Sequence, residues 1–166
     1  MCSNRLLMRT VLAGVFALLV LPACASDLEP NGPARNGPLP GTWVDVENDG
    51  ARVMLPVAEV TGTGNVHFSV VVGERKMDFM AYVLGDDLHV RANACPPCRS
   101  IGFALDGMML VCDACQTTFK AIDGSGMEGA CVNYPKAAVA YAVEQGMVVM
   151  DSEDLVRAYD DTLTAG

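Results

Sequence analysis

Beyond Thr42 the chain is dominated by short runs in which apolar and polar residues alternate, separated by turn residues. Side chains on a strand point to opposite faces in turn, so alternation marks a strand with two distinct sides. Val66 to Val72 places Val66, Phe68, Val70 and Val72 on one face. Met77 to Leu84 places Met77, Phe79, Ala81 and Val83 on one face and Asp78, Met80, Tyr82 and Leu84 on the other. Leu88 to Ala92 alternates again, and Gly73-Glu74-Arg75 and Gly85-Asp86-Asp87 predict the hairpin turns between these runs. Ala51 to Val57 is a short apolar run ending near Pro56. Ile101 to Leu105 and Met109 to Val111 flank Asp106-Gly107, a strong hairpin signal. Thr117 to Lys120 leads into a turn at Asp123-Gly124, and Val139 to Val143 and Met147 to Met150 close around Gln145-Gly146. One helix is predicted, Ser152 to Leu163. Ser152, Glu153 and Asp154 suit its N-terminus, and Leu155, Val156, Tyr159 and Leu163 share a face. The expected fold is mainly β, a small β-sandwich of hairpins with one C-terminal helix. Trp43 and Phe119 are expected in its core.

The first residues carry a different pattern. Arg5 and Arg9 form a basic leader, and Val11 to Leu21 is an apolar run too short for a membrane span but suited to an export signal. Two processing sites are open. Leu21-Pro22-Ala23-Cys24 resembles a lipobox, in which Cys24 is acylated and becomes the new N-terminus, although Pro22 is unusual there. Ala23-Cys24-Ala25 is an A-x-A site with cleavage after Ala25. The first, preferred, gives a cell-envelope lipoprotein held to the membrane through Cys24. The second gives a soluble periplasmic protein. Several acyl chains anchor stably where a single one is marginal. Residues 1–24 are thus expected to be signal peptide and lipobox. Residues 25–41, dense in Pro, Gly and Asn, are expected to be a flexible tether. Residues 42–166 are expected to be one cysteine-rich, metal-binding β domain.

Charge narrows the partners. The net charge is −9, and removing the signal, which holds two arginines and no acids, takes it to −11. An acidic domain without a basic cluster argues against nucleic acid and against electrostatic docking on anionic lipid. It suits solubility and tolerates cationic partners, metal ions included.

Candidate chemistry centres on cysteine. Cys95-Pro96-Pro97-Cys98 and Cys112-Asp113-Ala114-Cys115 are two C-x-x-C pairs with thirteen residues between them, and Cys131 follows after fifteen more. A C-x-x-C turn aims two sulfurs at one spot, and two such turns on neighbouring hairpins make a cage of thiolates suited to Zn²⁺, a single iron or an iron–sulfur cluster. Cys131 is either a further ligand or a small buried hydrophobe. Disulfides are the competing expectation, weakened by the odd number of cysteines in the stretch. A thiol–disulfide oxidoreductase using Cys95 and Cys98 ranks last, because Arg99-Ser100-Ile101-Gly102 reads as a hairpin and not as the helix that would lower a thiol pKa. His67 and His89 sit in alternating strands and are expected to be structural. Met77, Met80, Met108, Met109, Met127, Met147 and Met150 suggest Cu⁺ as an alternative metal, but gap-filling core methionines are the simpler expectation. No Ser/His/Asp set, phosphate loop or carboxylate pair is present, so an electron carrier or metal-binding protein is expected rather than a catalyst.

Two family patterns overlap this region. Around the second pair the sequence resembles Rieske proteins: Cys115, Phe119, Gly124 and Gly129 keep the Rieske spacing, and Tyr141 and Val143 fall where a closing strand would. Both Rieske histidines are replaced, by Cys98 and Cys115, which implies a Rieske-like or zinc-ribbon-like scaffold with all-thiolate ligation and a potential below the Rieske range. A longer resemblance is to the FtrD-like family of bacterial iron–sulfur-containing membrane and periplasmic proteins. It is carried by His67-Phe68, by Phe79 to Tyr82, by Arg91 to Cys98 and by Leu110 to Cys115. Thr117 to Phe119 and Gly129-Ala130-Cys131-Val132-Asn133-Tyr134-Pro135-Lys136 complete it. The resemblance implies a redox or metal centre held by Cys95, Cys98, Cys112, Cys115 and Cys131, with an iron–sulfur cluster as cofactor and Zn or Cu as alternatives. It further implies electron transfer linked to iron transport, with an envelope redox or metal-transport partner. Gln116 stands where Gly is often found after the second pair and is expected to matter little.

Overall fold

The computed structural model describes residues 37–166, so Cys24 and the signal segment lie outside the described residues. The elements are, in order, β1 (Thr42–Trp43), β2 (Glu47–Asn48), β3 (Arg52–Pro56), α1 (Val57–Thr63), β4 (Asn65–Val72), β5 (Arg75–Leu84) and β6 (Asp87–Ala92). There follow β7 (Phe103–Asp106), β8 (Met109–Cys112), β9 (Thr118–Lys120), β10 (Gly126–Glu128), β11 (Ala142–Glu144), β12 (Met147–Asp151) and α2 (Ser152–Leu163). Three four-stranded sheets result, ordered β1-β4-β5-β6, β10-β9-β8-β7 and β11-β12-β3-β2. The fold is mainly β with a C-terminal helix, as expected.

The alternation in β5 explains the layering. Met77, Phe79 and Ala81 enter one core, shared with Phe68 and Val70 of β4, Leu55 of β3, Val148 and Met150 of β12 and Leu155 of α2. Met80 and Tyr82, on the opposite face, enter a second core with Phe103, Leu110, Phe119, Cys95, Cys112 and Cys131. The β5 strand is therefore covered on both sides. On β4 and β6 the second face carries buried polar residues, and these hold the cysteine-bearing sheet through its backbone carbonyls. Asn65 Nδ2 donates to Phe103 O at 3.1 Å, and His67 Nε2 lies 3.1 Å from the same oxygen. Arg91 donates to Ile122 O, Asp123 O and Lys136 O, and also to the Tyr82 hydroxyl, which itself donates to Ala121 O. Buried polar groups are tolerated because they are bonded in this way.

Several elements differ from expectation. The α1 helix was not foreseen: V-A-E-V-T-G-T is rich in β-branched residues and contains Gly62, a poor helix by propensity. It forms because Val60 is buried and because Gly64, at φ 84°, closes the turn with its N–H on Val60 O. Trp43, expected in the core, is 49% exposed, since β1 is a two-residue strand at a sheet edge. Its ring meets His67 edge-on at 5.4 Å. Leu163, expected on the inner face of α2, is also exposed; Leu155 is buried and Val156 and Tyr159 pack against the core as expected, joined by Ala158 and Thr162. Ser152 does not cap that helix; its hydroxyl donates to Gly50 O. Leu39, near the end of the stretch expected to be tether, exchanges two backbone hydrogen bonds with Leu105.

Phe79 stacks on Phe68 at 5.7 Å and meets Tyr159 of α2 at 5.9 Å. Phe79→Ala should cost about 3–5 kcal/mol in chemical denaturation. Because Phe79 faces away from the sulfurs, thiol-dependent metal binding by the folded fraction should be unchanged.

Candidate metal centre

Two tips present four of the cysteines. The first lies in the connection from β6 to β7, closed by Cys95 N–H on Ser100 O at 2.8 Å. It is a turn and not a helix N-terminus, which removes the feature a C-x-x-C oxidoreductase needs. The second joins β8 to β9, closed by Cys112 N–H on Thr117 O and Gln116 N–H on Cys112 O, both at 3.0 Å. In each tip the residue after the second cysteine is left-handed: Arg99 and Gln116 both have φ 58°. Such a conformation strains a residue with a Cβ. Gln116 offsets this by donating its carboxamide to Cys112 O and Asp113 O, at 3.2 and 3.3 Å. It therefore does more than the expectation allowed.

Cys131 arrives from the turn after β10. Its N–H donates to Thr117 Oγ1 at 3.2 Å, and the same oxygen is 3.2 Å from Cys115 Sγ. Thr117 thus locks Cys131 against the second tip. Gly129 makes this possible: at φ 118°, a Cβ there would lie 2.5 Å from Thr117 Oγ1. Gly124 similarly admits Lys136 O, which a Cβ would meet at 2.1 Å.

The sulfurs converge. Those of Cys95, Cys98, Cys115 and Cys131 all lie within 4.8 Å of one another. Cys112 sits beside this quartet, its sulfur 3.7 Å from that of Cys98, and Cys115 and Cys131 are also 3.7 Å apart. All five are free thiols. Cys131, open between ligand and core residue in the sequence, stands inside the quartet, while Cys112 is the adjacent fifth thiol. Neither histidine belongs to the group: His67 is bonded to Phe103 O, and His89 stacks on Tyr82 at 5.4 Å. The methionines do not form a stripe toward the sulfurs. Met80 shares their core, Met77 and Met150 are in the other, and Met108 and Met127 are exposed.

This donor set fits a soft or borderline metal. Four sulfurs bonded at 2.3 Å around one tetrahedral ion lie roughly 4 Å apart, close to the observed spacing. An iron–sulfur cluster spreads its ligands to roughly 6 Å, so accepting one requires the cage to open, and Cys112 supplies a further thiolate at its edge.

Electrostatics set the loading chemistry. Burial pushes the Cys95 thiol far up, reinforced by hydrogen bonds with Cys98 and Cys131, and burial also raises Cys112. Burial acts upward on Cys115 as well, but hydrogen bonds from the Thr117 hydroxyl and backbone, and from Cys112 and Cys98, outweigh it and bring Cys115 to about 6. At neutral pH the metal-free cage therefore holds a proton on Cys95 and a thiolate at Cys115.

Fold and site together define a small β protein with a thiolate-rich metal cage. The chain belongs to the family described as membrane iron-sulfur containing protein FtrD-like, whose model matches residues 60–160. No curated protein matches the sequence. Among solved structures it is similar to the Sphingomonas yanoikuyae B1 ferredoxin, at 21% identity over 51% of this chain and 84% of that one, with a TM-score of 0.43. It is also similar to a chain from a complex of reduced oxygenase and oxidized ferredoxin in carbazole 1,9a-dioxygenase, at 18% identity over 59% and 92%, with a TM-score of 0.47. A third is the ferredoxin of carbazole 1,9a-dioxygenase from Nocardioides aromaticivorans IC177, at 16% identity over 49% and 80%, with a TM-score of 0.41. Among the described residues no helix is long and apolar enough to cross a membrane.

No role at the site was expected of Arg91, Tyr82, Thr117 or Lys136, although all four lie in the segments that carry the FtrD-like resemblance.

Two outcomes follow from this geometry. Gly129→Ala should cost about 2 kcal/mol through its left-handed backbone and displace Thr117. Metal bound per folded protein should fall with it, as measured by elemental analysis. Loading should release at least one proton at pH 7.5, from Cys95, as measured by calorimetry in buffers of different ionisation enthalpy. Protons compete with the metal, so apparent affinity should rise with pH, about tenfold per unit for each proton released.

Proposed function

We propose that this chain is an envelope-tethered iron–sulfur protein that passes single electrons to a docked partner and thereby serves iron transport. The observation that carries this is the meeting of Cys95, Cys98, Cys115 and Cys131 within 4.8 Å, with Cys112 at the edge, in a chain of an iron–sulfur family. When bound, the centre supplies reversible one-electron chemistry. The protein's own residues hold it and tune it. The Thr117 hydroxyl lies 3.2 Å from the Cys115 sulfur, in reach to donate to it once it is a thiolate, and the backbone N–H groups of Ala114 and Cys115 face the sulfur of Cys112. Donors of this kind stabilise electron-rich sulfur and raise the potential. Phe103, Phe119 and Leu110 pack the inner side, where all three are fully buried. Cys98 and Cys115 are only partly covered and mark the side from which an electron would leave, next to the exposed Arg99, Ile101, Asp113 and Ala114.

The tether belongs to the same proposal. A lipid on Cys24 and the Pro/Gly-rich residues 25–41 would hold the domain near a membrane, which agrees with the word membrane in the family's description. A second reading, a structural zinc site, is favoured by the sulfur spacing, which suits one tetrahedral ion without rearrangement.

Anaerobic purification of the full chain, with metal and acid-labile sulfide analysis, visible absorption and EPR, separates them. The expected result is iron with sulfide and a signal that changes on reduction. A colourless, iron-free protein with stoichiometric zinc would end the electron-transfer proposal.

A further inference from the structure

We propose that Lys136 is the built-in counter-charge of the thiolate centre and raises its reduction potential. The side chain of Lys136 is 0% exposed. A buried ammonium is costly unless something compensates it. No carboxylate does so: none of the ion pairs among the described residues involves Lys136. Its Nζ donates to a neutral partner, Ala94 O, at 2.7 Å. It also lies 4.5 Å from the Phe119 ring centroid and 5.3 Å from that of Phe103. Burial lowers the Lys136 pKa, and the charges working against that are, in order, those of Cys95, Cys112, Cys131 and Cys98. Among the described residues, the groups whose negative charge favours this cation are these cysteine sulfurs, which become anionic when they ligate a metal.

The placement is enforced from both sides. Lys136 is carried by the segment that begins at Cys131, and its own backbone is pinned by Arg91 on its carbonyl and by Gly124 O on its N–H. Its ammonium reaches back to the carbonyl preceding Cys95. One side chain thus ties the last cysteine segment to the first tip and sets a positive charge against the apolar wall of the cage. Adding an electron makes a thiolate-ligated centre more negative, so a nearby fixed cation favours the reduced state over the oxidised one. The consequence for the potential rests on the iron centre proposed above; the charge pairing itself holds for any metal the thiolates carry.

The test uses the full chain purified anaerobically, comparing wild type with Lys136→Met, which keeps the length and removes the charge, and Lys136→Arg, which keeps the charge. In spectroelectrochemical titration Lys136→Met should shift the redox equilibrium at least tenfold toward the oxidised state, a fall of about 59 mV for one electron. Lys136→Arg should stay within about threefold of wild type. A Lys136→Met potential within threefold of wild type, or equal shifts in both variants, would overturn the proposal, the second outcome because packing and not charge would then be responsible. If the protein carries zinc, the same pair is read by competition with a zinc chelator. Lys136→Met should bind at least tenfold more weakly, so the electron-transfer proposal can fail while this one is still decided. If Lys136→Met does not fold, wild type labelled with [¹⁵N]lysine settles the matter, since the sequence has only Lys76, Lys120 and Lys136. The Lys136 ammonium signal, assigned with Lys76→Arg and Lys120→Arg, should move on removal of the metal while the other two stay. A Lys136 signal that does not move overturns the inference.

Discussion

Five sulfurs share one largely buried region, and they cannot all be charged there without positive charge among them. Like charges a few ångströms apart in a poorly solvated site repel strongly, and a group relieves this by keeping its proton or by gaining a cation. Both responses are visible. Cys95 and Cys112 are pushed toward the protonated form, Cys115 toward the thiolate, and Lys136 brings an ammonium against the same wall. The rest of the domain keeps these groups close enough for that tension to matter.

It does so with a sheet that works on both faces. The apolar face of β4, β5 and β6 makes a core with β3, β12 and the helices. The other face mixes Met80 and Tyr82 with Asn65, His67 and Arg91. Those polar residues bond to main-chain carbonyls of the cysteine layer, which apolar packing alone could hold in many registers. Hydrogen bonds to particular carbonyls select one. Arg91 is the clearest case, since it reaches the turn at Ile122 and Asp123 and the carbonyl of Lys136 together. The position of the counter-charge is therefore tied to the same sheet that backs the sulfurs.

The tips are built for tension as well. Both place a residue with a side chain in the left-handed region, and Gly124 and Gly129 leave room for backbone and hydroxyl contacts that any Cβ would block. Local strain of this kind persists where surrounding contacts over-determine it. Here those contacts are Thr117, bridging Cys115 and Cys131, and the Gln116 carboxamide on the second tip. A cage held in this way has its sulfurs positioned by the protein's own contacts, which lowers the ordering cost of holding one tetrahedral ion.

Much of this was legible in the sequence because it depends on short-range periodicity and spacing. Alternation located the principal strands and both faces of β5, an apolar stripe after Ser152 located α2, and two C-x-x-C pairs pointed to a thiolate centre. The α1 helix, the exposure of Trp43, the choice of Cys131 over Cys112 in the quartet and the burial of Lys136 were not legible. Each is decided by which surfaces meet: α1 by a buried Val60, Trp43 by an edge strand, Cys131 by Thr117, and Lys136 by Ala94 and Phe103, far from it along the chain. Periodicity and spacing act within a few residues and survive in any fold, whereas the charge balance of a buried site exists only after distant segments have come together.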